Sequence, residues 1–259
     1  MSCLSSPLRR GAGLLLALAA ADIAPACAED APSVATNVTL ASQYIFRGIT
    51  QTAGKPALQG GAELGGSSGF YAGLWGSNVN WLQDYQGYLS GSLELDLYGG
   101  WRRRLNEQVG FDLGLIHYRY PGSRPAGMVA ADTTELYAAA TWRWLSAKLF
   151  YSTGRTFGFD TPSGSTYLDL GANLPIGDSP LKLVLHAGQQ RLRGDARPHS
   201  YDDWRLALSY DASTHGAGWK ATSVTVQVTG TDADRSLWTD RNGVDLSRTR
   251  WAVMIARSF

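Results

Sequence analysis

Leu89-Ser-Gly-Ser-Leu-Glu-Leu-Asp-Leu-Tyr-Gly-Gly-Trp-Arg102 is the stretch that decides the fold class. Leu89, Gly91, Leu93, Leu95, Leu97, Gly99 and Trp101 form one apolar set, interleaved with Ser90, Ser92, Glu94, Asp96, Tyr98, Gly100 and Arg102. Successive side chains of a strand point to opposite faces, so this period-two pattern makes one face greasy and gives the other its carboxylates. The same alternation sets Val109, Phe111, Leu113 and Leu115 against Gln108, Gly110, Asp112 and Gly114. It sets Leu168, Leu170, Ala172 and Leu174 against Tyr167, Asp169, Gly171 and Asn173. The last nine residues repeat it, with Trp251, Val253 and Ile255 on one face and an aromatic, Phe259, at the end. Past the first 28 residues no segment nears the ~18 uninterrupted apolar residues of a spanning helix, so strands are the only route across a membrane.

Twelve such segments are predicted, at 36–49, 57–64, 70–78, 89–101, 108–120, 134–144, 147–156, 166–174, 181–191, 203–211, 220–230 and 250–259. In the third and seventh the outward face is contested, Phe70, Ala72 and Leu74 against Tyr71, Gly73 and Trp75, and Phe150 against Leu149 and Tyr151; the eleventh is the other weak pattern. Connections at 65–69, 102–107, 145–146, 175–180 and 212–219 are short. Those at 121–133, 156–165, 192–202 and 231–249 are mostly longer and richer in charge, Pro and Gly, with moderate ones at 50–56 and 79–88. Short turns at one end and long loops at the other are the plan of an all-β, transmembrane, antiparallel up-and-down barrel; a soluble sandwich has no use for the asymmetry. An even strand count puts both ends of the barrel on the periplasmic side. Phe70, Trp101, Trp142, Trp144, Tyr210 and Phe259 then fall near the periplasmic rim, and Tyr44, Phe46, Tyr120, Trp204 and Trp251 near the outer one, as two interfacial girdles.

Residues 1–28 read as a cleaved export signal. Arg9 and Arg10 precede a short apolar run at 11–21, and Ala26-Cys27-Ala28 supplies a small-x-small cleavage site before Glu29. Cys27 as a lipid-modified residue is the weaker reading, because Ala24 stands where leucine is favoured three positions earlier. Residues 29–259 form one domain, the barrel. Both cysteines, Cys3 and Cys27, leave with the signal, which removes disulfide and thiolate-metal chemistry. Of 23 basic and 22 acidic residues, Arg9, Arg10 and Asp22 leave too, so the charges of the remainder balance and nucleic acid is not an expected partner.

Val34-Ala-Thr-Asn-Val-Thr-Leu-Ala-Ser-Gln-Tyr-Ile-Phe-Arg-Gly-Ile-Thr-Gln-Thr52, followed by Pro56-Ala-Leu-Gln-Gly60, resembles the opening of the TorF-type porin family of proteobacteria. Gly69-Phe-Tyr-Ala-Gly-Leu-Trp-Gly-Ser-Asn-Val79, Glu94-Leu-Asp-Leu-Tyr-Gly-Gly100, Tyr118-Arg-Tyr-Pro121 and Glu135-Leu-Tyr137 extend the likeness over essentially the whole exported chain. The resemblance implies an outer-membrane barrel and a porin role, leaves the solute open, and transfers no catalytic residue.

If apolar positions face lipid, parity assigns the interior. The candidate pore-lining residues are Arg47, Glu63, Glu94, Asp96, Asp112, Glu135, Arg143, Lys148, Asp169, Lys182 and Arg205, accompanied by Gln43, Gln59, Arg102, Tyr118, Tyr137 and His186. Opposed acids and bases on a wet wall favour small polar or zwitterionic solutes. The same residues could instead form a salt-bridged plug, since twelve strands lie between a filled eight-stranded barrel and a wide porin. Arg47 is expected near the outer end of the first strand, facing inward with Glu63 as its neighbour. Glu94 and Asp96, two apart, face the same way and would attract cations.

An enzyme is the competing class. His117 falls outward near the outer rim, where lipid-hydrolysing barrels keep a Ser/His pair, but no Gly-x-Ser-x-Gly exists and no serine is placed beside it. Asp232, Asp234, Asp240, Asn242 and Asp245 resemble a calcium loop but lack its twelve-residue spacing and closing glutamate. Arg193-Gly-Asp195 is too short to carry weight. No catalytic residue, metal site or cofactor is therefore expected. The expected partners are outer-membrane lipid, small polar solutes, and the barrel-assembly machinery reading the Phe259 end. A surface-binding barrel (adhesin or receptor) and a purely structural one, both without conductance, are the remaining alternatives.

Overall fold

A computed structural model describes residues 33–259. The expected export signal at 1–28, with its expected cleavage site, lies outside the described residues. Its strands are β1 (Ser33–Ala41), β2 (Ile45–Phe46), β3 (Ile49–Thr50), β4 (Ala57–Gly65), β5 (Phe70–Asn78), β6 (Leu93–Arg104), β7 (Val109–Arg119), β8 (Thr133–Trp142), β9 (Leu145–Ser152), β10 (Thr166–Pro175), β11 (Leu181–Arg191), β12 (Tyr201–Asp211), β13 (Thr222–Thr231) and β14 (Arg250–Ser258). All but β2 and β3 pair in sequence order, antiparallel, into one closed barrel. β1 completes it, pairing with β4 (Val38 opposite Gly60) on one side and with β14 (Leu40 opposite Ile255) on the other. Closure leaves no exposed edge, which a lipid environment requires because it offers no water to satisfy edge amides. The twelve-stranded antiparallel barrel read from the alternation is the observed fold.

Directly paired residues share a face. On the outside, Leu74 stands beside Leu97, Leu115 beside Leu136, Leu149 beside Leu168, Leu185 beside Leu206, and Val226 beside Val253. Leucines on this belt are about half exposed, Leu97 at 56% and Leu113 at 52%. An apolar surface continuous around the molecule exceeds what a soluble monomer leaves in water and fits a hydrocarbon layer. The contested strands resolve by volume: Tyr71, Trp75 and Phe150 are buried inside, while Phe70, Leu74, Leu149 and Tyr151 face out.

Phe70, Trp142, Trp144 and Phe259 are exposed at the short-turn rim, and Trp204 and Trp251 at the other. Tyr44, Phe46 and Tyr120 do not join that outer girdle. Tyr44 and Tyr120 are buried and Phe46 packs against the same interior cluster. Arg143 is not an interior residue either: it occupies the two-residue turn between β8 and β9 with φ 54°, exposed, its guanidinium over the Trp142 ring. Parity fails there because a tight turn rotates the chain out of the pleat.

The largest departure from expectation is at the first strand, which stops at Ala41 rather than running to residue 49. The Ser42 N–H makes a last ladder bond to the Val253 carbonyl, and the Ser42 hydroxyl accepts from the Val253 N–H, taking the place of the next backbone acceptor. Residues 42–56 then turn into the barrel. The fourth segment likewise starts late, at Leu93, because 79–92 forms an outer loop with one π-helical turn, Leu82–Gln86.

Candidate functional site

The inward segment is a small hairpin. β2 and β3 pair Ile45 with Thr50 and Phe46 with Ile49, leaving Arg47-Gly48 as a two-residue turn with both φ positive, 47° and 78°. That is the backbone a right-twisted hairpin prefers, and it favours glycine at the second position. Gly48 is needed for a second reason. A Cβ there would collide with the side chains of Thr231 and Asp203, so the tip is pressed against the β12–β13 wall.

The hairpin is tied at its base and sides. Gln51 N–H donates to the Tyr44 carbonyl (2.8 Å), and Tyr44 N–H donates to the Thr52 hydroxyl (3.0 Å). Thr50 N–H reaches the Leu246 carbonyl of the β13–β14 loop (3.1 Å), and Asn80 N–H of the β5–β6 loop reaches the Gln51 carbonyl (3.0 Å). Gln43 Nε2 donates to the Trp251 carbonyl (2.6 Å). Above it the outer loops meet through rings: Tyr85 stacks on Trp238 with centroids 5.5 Å apart, and Trp81 meets Tyr120 edge-on at 5.1 Å. A small recess remains between loops and hairpin, lined by Phe46, Arg47, Trp81, Tyr85, Tyr201 and Trp238 among others.

Arg47 points from the turn into the opposite wall. Its Nη1 and Nη2 donate to the two oxygens of Glu135 on β8 (3.1 and 2.6 Å), and Nη1 also donates to Gln190 Oε1 on β11 (2.8 Å). The guanidinium carbon lies 4.2 Å from the Tyr167 ring centroid and 4.8 Å from those of Phe150 and Phe46. Tyr118 donates its hydroxyl to Glu135 Oε2 (3.2 Å). The expected Arg47–Glu63 pair does not form, because the hairpin carries Arg47 away from β4. Glu63 instead takes a bidentate bond from Arg102 (2.9 and 3.0 Å), whose guanidinium covers the Tyr71 ring.

The other expected interior residues fall into two groups. Glu94 and Asp96 of β6 are buried near the hairpin. Glu94 accepts from the Tyr44 hydroxyl (3.1 Å), while Glu94 Oε2 and Asp96 Oδ1 have no hydrogen-bond partner. Below and around the barrel, Asp112 accepts from the Tyr71 hydroxyl (2.5 Å), and the Tyr71 hydroxyl also meets that of Tyr137. Lys148 lies over the Tyr137 ring at 3.7 Å and opposite Asp169 in the β9–β10 register. His186 is bracketed by Asp169 on Nδ1 (3.1 Å) and Asp203 on Nε2 (2.8 Å), with Arg205 beside it in register. Lys182 faces in at the short-turn end, opposite the buried Ser209. His117 faces out and bonds the Thr134 hydroxyl through Nδ1 (2.8 Å). The acidic loop uses its carboxylates on its own turns, Asp240 Oδ1 accepting from the Asn242 and Val244 amides.

The family description matches residues 26–259, nearly the whole chain. The chain belongs to the Gcw_chp family, bacterial proteins of unknown function. No curated protein matches it. Among solved structures, this Gcw_chp chain is similar to the NanC porin, at 12% identity and TM-score 0.51 over 86% of this chain and 98% of that one. It is similar also to the KdgM porin, at 10% identity and TM-score 0.50 over 87% and 99%. At such identity the likeness establishes a shared twelve-stranded porin-like fold. Gln190, Asp203, Phe150 and Tyr167, which surround Arg47 and His186 in this Gcw_chp barrel, were not among the charged positions singled out by parity. Asp203 sits at a strand end, and two rings and an amide carry no charge signal.

Proposed function

We propose that this protein is an outer-membrane porin of the TorF type, passing small polar solutes through a mixed-charge lumen that the 42–56 hairpin closes at rest. One observation carries the reading: a closed barrel with a lipid-compatible exterior turns its acids and bases inward. A protein needing only a stable barrel could fill it with apolar side chains without desolvating charges. Glu63, Glu94, Asp96, Asp112, Glu135, Lys148, Asp169, Lys182 and Arg205 would line the path, with Arg47 at its constriction. Export through a cleaved 1–28 signal, assembly through the Phe259 end, and the long loops facing outside complete the proposal. A label reaching the 231–249 loop in intact cells, and failing to reach 102–107, supports the orientation.

Planar-bilayer recording on the refolded protein is the test. Reproducible conductance steps, enlarged when the hairpin is loosened, support the porin. Silence across salts and voltages, with the hairpin deleted as well, overturns it. That outcome would favour the second reading, a closed structural or surface-binding barrel, which draws its support from the rings of Tyr118, Phe150 and Tyr167 packed into the interior.

A further inference from the structure

Arg47 is the only member of its cluster that the hairpin turn supplies; its partners, apart from Phe46 and the loop residue Phe157, belong to the barrel wall. Glu135 offers two coplanar oxygens, Gln190 an amide oxygen, and Phe150 and Tyr167 two ring faces, contributed by β8, β11, β9 and β10 in turn. Each feature matches a planar cation. A carboxylate takes two parallel N–H donors, the amide oxygen takes another, and ring faces attract a delocalised charge without competing for its protons. Tyr118 steadies the carboxylate from behind. This is a binding site whose occupant happens to be covalently attached.

The surroundings favour the same charge. Glu94 and Asp96 are buried within the same aromatic neighbourhood, at 1% and 2% exposure, and each keeps one oxygen without a partner. Without the Arg47 guanidinium, this level of the barrel would hold Glu94, Asp96 and Glu135. Beyond it the ring faces continue: Phe150 packs against Tyr137, Lys148 lies over both, and the Tyr137 and Tyr71 hydroxyls meet. The Lys148 ammonium on these faces is a second cation held by rings at the next level of the lumen, with Asp112 bonded to Tyr71 below.

We propose that the wall formed by Glu135, Gln190, Phe150 and Tyr167 is a receptor for a guanidinium or similarly flat organic cation, that Arg47 is its built-in occupant, and that a cationic solute passes by exchanging with the Arg47 side chain while the hairpin backbone stays in place. This deepens the porin reading and rests on it for passage, though binding at the wall does not depend on conduction.

The probe is methylguanidinium chloride, with choline chloride at equal concentration as the salt control. Purified Arg47→Ala protein should gain thermal stability with methylguanidinium in a saturable way, and wild type should not, its site being filled. Arg47→Ala/Glu135→Gln should bind about 10- to 100-fold more weakly, the loss expected for one charged hydrogen-bond partner. Should Arg47→Ala fail to refold, Arg47→Gln, which keeps bulk and polarity, takes its place. In bilayers the Arg47→Ala channel should be cation-selective in a salt gradient, and methylguanidinium should block it reversibly. Equal stabilisation by choline, or equal binding to the Glu135→Gln double variant, overturns the receptor. Saturable binding with no current from any variant leaves the receptor standing, sinks passage by exchange, and counts against the porin.

Discussion

Gly48→Ala should open the barrel without damaging it. Gly48 sits at the hairpin tip with φ 78°, and its missing side chain makes room for Thr231 and Asp203 of the facing wall. A Cβ adds about 1–2 kcal/mol for the left-handed conformation. Forcing it into a filled space adds about 1–3 kcal/mol. Together these weaken docking of the tip by about 2–5 kcal/mol, a shift of about 30- to several thousand-fold between docked and undocked hairpin. Gly54→Ala is the matched control. Gly54 also has positive φ, 83°, but the nearest atom to its Cβ position is an Arg250 nitrogen at 3.5 Å, an ordinary contact. Only the conformational cost applies, about 5- to 30-fold. The assay is liposome swelling or bilayer current per heat-modifiable molecule, paired with protease access to 42–56. Gly48→Ala should raise both well above Gly54→Ala, with the barrel's gel shift unchanged. If the two variants behave alike, or Gly48→Ala is as silent and as protected as wild type, the tip is not what closes the lumen.

Three further outcomes are expected. Leu97→Arg, in the middle of the outward belt, should cost about 2–4 kcal/mol in urea unfolding from lipid vesicles, whereas Leu105→Arg at the short-turn rim should cost about 0–1 kcal/mol. A double-mutant cycle on Arg102→Ala and Glu63→Ala should give a coupling near 1 kcal/mol, since the bidentate pair is still partly solvated. The outer loops should loosen on acidification. Burial beside Phe159 and Trp238 holds His199 below the ordinary histidine value, with Asp234 opposing weakly. The packed loops therefore bind fewer protons than the opened ones, so their stability is full above pH about 6.5 and falls as pH drops through the lowered value. Trp238 emission recorded from pH 7.5 to 5 should report this, and His199→Phe should flatten it.

The fold was legible because period two is a property of the chain itself. Wherever Leu, Val or Trp recurs at every second residue, as from Leu93 to Trp101, burial of one face against lipid fixes the register with no information from distant residues. Phe150 and Trp75 were harder. Both flanking phases are apolar, and the choice falls to the interior because large rings fill a small lumen that Leu149 and Leu74 could not reach from outside. Arg143 shows the limit of parity, which ends wherever a turn residue adopts positive φ.

The site was legible in its residues but not in its partners. Ser42 to Thr52 continues the β-like composition of β1, so a local reading extends the strand, and only the Arg47-Gly48 pair hints at a turn. What sends the segment inward is non-local: the Ser42 hydroxyl ending the β1–β14 ladder, the Leu246 carbonyl and Asn80 amide receiving the hairpin from two other loops, and Glu135 waiting on β8. None of these lies within 25 residues of Arg47 except Ser42. Arg47 also holds φ 47°, uncommon for a residue with a side chain, and its contacts with the wall offset the strain of that backbone. A residue held in unfavourable geometry by interactions with a different part of the barrel is poised to be displaced by anything that satisfies that wall equally well. That is why Arg47, rather than the more numerous charges lower in the lumen, is where control of passage is to be sought.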